Sequence, residues 1–140
     1  MQKFWVLGKA LLAVTAALGC LVFCYALLHS PVFPKGERYE FYTGTSSEEI
    51  VLSDSPLAKY SLTGIRGESV RYQGNRVQEM ISRYRAKVLF IEEAAGVVNY
   101  YCNSPVLGRG VVIDGKRVNL HIAASDTRTA VGTPVIFGGF

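Results

Sequence analysis

Two side chains in this 140-residue chain have the chemistry of a nucleophile and its base. Cys102 would attack, His121 would take its proton, and Asp126 could orient the imidazole. A thiol reacts as its thiolate, so the base must lie within hydrogen-bond reach. Alternation argues against the pair. Val98, Tyr100 and Cys102 fall on one strand face, while His121 alternates away from Val118, Leu120 and Ile122. The residues therefore read as a core thiol and a surface imidazole facing opposite sides.

The other chemistry-bearing residues are weaker still. Glu92 and Glu93 are adjacent, so in a strand they point apart and form no carboxylate pair; they read as the charged end of a buried strand. His29 lies beside the apolar N-terminal run, and no tight CxxC or HxxxH spacing occurs, so neither a metal nor a cofactor is expected. Gly64-Ile65-Arg66-Gly67 and Gly108-Arg109-Gly110 set a cation among glycines, a geometry able to meet an anion. Neither precedes a helix as a phosphate-cradling loop would, so tight turns with a solvated Arg explain them as well. Arg71 and Arg76, near a basic helix end, could touch anionic lipid or a polyanionic wall polymer; ordinary solvation is the alternative. With Tyr101 as an outward aromatic, the candidate binding surface is Arg66, Arg71, Arg76, Tyr101 and Arg109. No residue is assigned as catalytic.

These side chains need a scaffold, and the pattern predicts an α+β one. Residues 40–43 suit a first short strand. Residues 44–55 are polar around Ile50-Val51-Leu52 and read as a loop or a poorly packed strand. In residues 61–72, Leu62, Ile65, Val70 and Tyr72 are candidate inward positions. Val77, Met80, Ile81 and Tyr84 form one helical stripe, Asn75 with Gln78 resembles a capping box, and Arg83, Arg85 and Lys87 suit the dipole's negative end. This predicts a helix over 75–85. Val88-Leu89-Phe90-Ile91 reads as a central strand, and Ala94-Ala95-Gly96 as a turn. Asp114-Gly115 between Val111-Val112-Ile113 and Lys116-Arg117-Val118 reads as a β-hairpin with a type I′ turn. A reversal near 125–128 leads to Thr129-Ala130-Val131 and a last strand, Val135-Ile136-Phe137. Pro134 places that strand at an edge or interrupts it. The expected architecture is a mostly antiparallel sheet packed against one amphipathic helix.

Ahead of that domain lies an N-terminal transmembrane helix. Residues 10–28 carry no formal charge, and a helix of that length spans about 28 Å, close to a bilayer's hydrocarbon core. Lys3 and Lys9 precede it, so the positive-inside rule puts the amino terminus in the cytoplasm and the domain outside. The run exceeds a signal peptide's usual apolar stretch, and Leu27-Leu28-His29-Ser30-Pro31 is a poor cleavage site. Cleavage and secretion, lipidation at Cys20, and a buried helix of a soluble protein are the alternatives. The division reads as 1–30 anchor or signal segment, 31–36 linker with Pro31 and Pro34, and 37–140 extracytoplasmic domain.

Net charge is +4, and the two leader lysines leave thirteen basic against eleven acidic residues, or +2, for the rest. That is weak for nucleic-acid binding, and no nucleic acid is expected as a partner. Cys20 and Cys24 lie in the apolar run, leaving Cys102 without an intradomain disulfide partner.

From Arg66 onward, GESVRYQG, KVLFIEEAAGVVNYYCNSP, GKRVNLHIA and TAVGTPVIFGGF are similar to the YwmB family of Firmicute proteins. NLHIA followed by GTPVI is the most specific part, and the likeness covers over half the chain. The resemblance implies an exported or membrane-anchored α+β domain whose fold is likened to TATA-box-binding proteins, in an envelope or sporulation context. It transfers no catalytic residues. The segment between Tyr42 and Tyr60 is short and weakly patterned beside longer relatives. The expected function is a non-catalytic envelope binding or scaffold domain, with the lipid bilayer and an envelope protein or wall polymer as partners. A cysteine enzyme using Cys102 and His121, and nucleic-acid binding through the sheet, are the alternatives.

Overall fold

Uncharged residues early in the chain and alternating ones later produce two different kinds of structure. The computed structural model describes residues 2–33, 35–44 and 49–140. The chain divides into two compact units, one ending at Pro31 and one beginning at Val32. The first is helix α1 (Gln2–Leu28). Its stretch from Phe4 to Leu28 is long and apolar enough to cross a membrane or to serve as a signal sequence. Its large apolar side chains are exposed, Phe4 and Leu28 most of all. Thr15, whose hydroxyl would be unpaired in an apolar surrounding, donates to the Leu11 carbonyl one turn back at 2.9 Å.

The second unit is α+β. In chain order it contains β1 (Arg38–Tyr42), β2 (Ile50–Ser53), a 3-10 helix (Pro56–Ser61), β3 (Gly67–Gln73), α2 (Val77–Arg83), β4 (Lys87–Ala94), β5 (Val97–Asn103), β6 (Val111–Ile113), β7 (Lys116–Val118), β8 (Leu120–Ala124) and β9 (Arg128–Thr133). Seven strands form one antiparallel sheet in the order β2-β1-β3-β9-β8-β5-β4; β6 and β7 form a separate hairpin. Both two-residue turns behave as their sequences require. Ala95 and Gly96 (φ +52° and +75°) and Asp114 and Gly115 (φ +48° and +73°) are left-handed, as a type I′ turn demands.

One face of the sheet carries the core. Tyr39, Phe41, Val70, Tyr72, Val131, Leu120, Ile122 and Cys102 are buried in one cluster with Val77, Met80 and Tyr84 of α2. Each fully buried large side chain contributes roughly 1.5–3 kcal/mol. The predicted helical stripe is thus present, and Ile81, Leu62 and Ile65 pack on the cluster's margin.

Five expectations need correction. Val32 and Phe33, read as linker, belong to the domain: Phe33 is fully buried and meets the Tyr84 ring edge-on at 5.5 Å. Helix α2 is shorter than 75–85, and its N-cap is Arg76, with no side-chain cap. A tertiary contact from Thr129 joins a local bond from Asn75 at this end. Thr129 Oγ1 accepts from the Arg76 N–H and donates to the Gly74 carbonyl, while Asn75 Oδ1 accepts from the Val77 N–H. The run containing Val88 to Ile91 is not central: β4 is an edge strand, and Ile91 is 56% exposed. A short apolar run looks alike in either position, because periodicity cannot report what lies alongside. Val135-Ile136-Phe137 form no strand; the chain leaves the sheet after Thr133. The first strand begins at Arg38 and ends at Tyr42 instead of covering 40–43. Ile50-Val51-Leu52, one of two readings offered for that segment, is strand β2 on the opposite edge; residues 45–48 and Pro34 lie outside the described residues.

A buried carboxylate fixes where the domain starts. Glu68 on β3 accepts from the N–H groups of Val32 (2.5 Å) and Phe33 (3.2 Å) and pairs with the Lys59 ammonium at 2.5 Å. The Tyr84 hydroxyl donates to the Val32 carbonyl at 2.8 Å, holding the same residue from the helix side. Breaking one partner of a buried pair leaves the other charge uncompensated. Glu68→Gln is therefore expected to lower the unfolding free energy by roughly 3 kcal/mol, measured by urea titration against wild type. A loss below about 1 kcal/mol would place this pair with ordinary surface ion pairs.

Candidate binding surface

Register decides the fate of the proposed nucleophile and base. Cys102 pairs with Leu120 across β5 and β8, and His121 pairs with Tyr101 one step along. Successive residues of a strand face opposite sides, so Cys102 points into the core and His121 to the other face. The dyad is not assembled. Burial alone pushes the Cys102 thiol up to about 11, the opposite of an activated nucleophile. Asp126 sits exposed in the turn between β8 and β9.

His121 itself departs from expectation: it is 8% exposed and not a surface imidazole. Tyr101 stacks on it at 4.5 Å, and the segment after Thr133 covers it. Nδ1 lies 3.3 Å from the Ile136 N–H and must accept from it; Nε2 lies 3.0 Å from Asn99 Oδ1 and donates to it. This fixes a neutral tautomer, and burial lowers its pKa to about 4.

A row of rings grows from this histidine toward the sheet edge. His121, Tyr101 and Phe90 stand on neighbouring strands, with Tyr101–Phe90 centroids 4.4 Å apart. Lys116 ends the row, its ammonium 5.3 Å from the Phe90 ring centre and 3.4 Å from the Leu89 carbonyl. The Tyr101 hydroxyl bonds to Glu92; burial first, and then that carboxylate, raise its pKa. Phe90, Asn99 and Lys116 were not among the sequence candidates. Alternation along β5 places Asn99 with Tyr101, but Phe90 joins them only through a cross-strand register that includes a bulge at Leu89.

The five candidate residues do not converge. Tyr101 is in the ring row, half-buried. Arg71 lies on the same face three strands away, where it donates to Glu40 Oε1 (2.8 Å) and the Gly139 carbonyl (2.7 Å). It lines a shallow depression with Arg128, Thr129, Ala130 and Phe140. Arg76 pairs with Glu79 at the start of α2. Arg66 is exposed just before β3, its N–H bonded to the Tyr42 carbonyl. Arg109 is exposed in the loop between β5 and β6. There Gly110 fits against the Val118 carbonyl so closely that a Cβ would overlap it, so this glycine serves packing. Among the described residues no three His, Cys, Asp or Glu side chains are grouped to hold a metal.

The buried thiol and imidazole each give a measurement. Cys102 is expected to resist iodoacetamide in the folded protein and to react once denatured; rapid labelling of Cys102 in the native chain would contradict the burial. His121 is neutral when folded and can charge when unfolded. Its folded pKa lies below the unfolded value of about 6.5, so the unfolded state binds more protons between those values. Stability is therefore full above pH 6.5 and falls as pH drops toward 4, by roughly 3 kcal/mol in all. His121→Asn should flatten that part of the pH profile in urea titrations, and an unchanged slope would refute it. Comparison of the chain with protein-family models, with curated proteins and with solved structures finds no match.

Proposed function

We propose that the chain is a non-catalytic binding or scaffold module of the cell envelope, anchored by α1 with its domain outside the cytoplasm. The observation carrying this reading is the pairing of two unlike units. One is an exposed apolar helix preceded by Lys3 and Lys9, and the other is a compact domain beginning at Val32. Basic residues before an apolar span stay on the cytoplasmic side, which sends the following domain across. The YwmB-like strings fall in that domain and fit this placement.

Support for binding over catalysis comes from how the polar groups are used. His121 bonds to Asn99, Tyr101 bonds to Glu92, and Cys102 is enclosed by apolar neighbours. The surface left for a partner is the β4–β5 side of the sheet, with Arg66 and Arg109 exposed in separate loops. An envelope protein or an anionic wall polymer suits that mixture of apolar and cationic groups.

A protease tag fused after Phe140 tests the topology. Protease added to wall-stripped, intact cells should remove the tag while a cytosolic marker survives. Protection of the tag until the membrane is opened, with the protein recovered in the cytosol, would sink the reading.

A further inference from the structure

We infer that β4 is a self-association edge, pairing antiparallel with β4 of a second copy to extend the sheet across a two-fold axis. Among the described residues nothing pairs with the outer side of β4, although it has eight residues and the other edge strand, β2, has four. Five of its eight residues are apolar, and Ile91 is more than half exposed. An edge of this length offers a row of unpaired backbone groups. What distinguishes it from a general hazard is the order of its charges. Lys87 is at one end and Glu92 and Glu93 are at the other.

The faces on β4 are set by its pairing with β5. Val88 opposite Cys102 and Ile91 opposite Tyr100 lie on the core side; Lys87, Phe90 and Glu92, opposite Asn103, Tyr101 and Asn99, lie on the ring-row side. Leu89 is the bulged residue between them. One antiparallel register satisfies both face and charge. It sets Lys87 against Glu92 of the second copy on the ring-row side, and Val88 against its Ile91 on the core side. The two-fold axis then passes between Leu89 and Phe90, and every pair occurs twice.

Neighbouring registers fail. Slipping one residue either way puts Lys87 opposite Glu93 or Ile91, each on the wrong face. Parallel pairing sets lysine beside lysine and glutamates beside glutamates, which is destabilising. Lys116 holds the Leu89 carbonyl, so backbone bonds between copies form on either side of the bulge and not at it. The bulge and charges thus guard the edge against most strands while admitting a second copy of this one. The inference does not depend on the envelope reading, since a soluble domain would pair equally.

Sedimentation equilibrium of the full chain in detergent micelles tests it. A reversible dimer is expected, weakened by raised salt. Lys87→Glu turns two attractions into two repulsions and should weaken the dimer about tenfold. Adding Glu92→Lys to that variant should recover most of the loss. Lys87 and Glu92 are exposed, and thermal melts of each variant check that the fold is kept. A wild-type chain that stays monomeric at high micromolar concentration overturns the proposal. So does a dimer indifferent to both salt and Lys87→Glu, which would point to association through α1, and so does a double variant no tighter than the single one.

Discussion

A sheet of seven strands has two faces to cover, and among the described residues the domain provides one seven-residue amphipathic α-helix to do it. That imbalance governs the rest of the domain. On the core face, α2 is too short to suffice, so Phe33 from the entry segment and the margin residues Ala58, Leu62 and Ile65 complete the cover. Recruiting an entry segment into a core exposes its backbone groups to desolvation, and buried backbone groups must be paired. Glu68 meets that demand by accepting from two of its N–H groups, with Lys59 balancing the charge. The buried ion pair is a consequence of where the core had to find its apolar residues.

The part of the opposite face on β1, β3, β9 and β8 is covered by the residues after Thr133. There the chain bends over Gly132, where a Cβ would meet the Val135 carbonyl and Ile136, and brings its backbone to His121. Phe137 then stacks on Tyr42 at 4.1 Å and lies against Gly67, whose missing side chain makes the room. Gly138 passes Glu40, and the Gly139 carbonyl takes a bond from Arg71. Gly67, Gly132 and Gly138 are therefore contact surfaces, where a side chain would collide with the folded-over segment or its bed. A polar network of Glu40, Ser69 and Arg71 lies beneath it.

This division explains what was legible in the sequence. Alternation placed Cys102 and His121 on opposite faces because a one-residue step flips a side chain regardless of neighbours. The Asp114-Gly115 hairpin and the Val77–Met80–Ile81–Tyr84 stripe were readable for the same reason: each is decided within a few residues. What failed was decided from far away. His121 became buried only because residue 136 folds over it, and Phe33 only because its backbone found Glu68, 35 positions later. The start of α2 answered to Thr129, 53 residues distant, as well as to Asn75 beside it. The edge position of β4 depends on strand order, which no property of β4 records. The candidate surface suffered most, since Arg66, Arg71, Arg76, Tyr101 and Arg109 were grouped by type while the sheet spreads them apart.

The ring row also constrains what kind of partner the open face can take. Proteins that hold bases or sugars by stacking present aromatic faces to solvent. Here the faces of His121, Tyr101 and Phe90 are turned toward one another, 4.4 to 4.5 Å apart, and Lys116 stands over the last. Only ring edges remain outward, and the Tyr101 hydroxyl and the His121 nitrogens are already bonded within the protein. A flat ligand would gain little stacking there and would have to break existing hydrogen bonds to be recognised. The groups that stay available on this side are the backbone of the β4 edge and the charges flanking it. Recognition through those favours an extended polypeptide over a planar small molecule, because a strand satisfies backbone donors and acceptors in register while its side chains meet Lys87, Glu92 and Glu93.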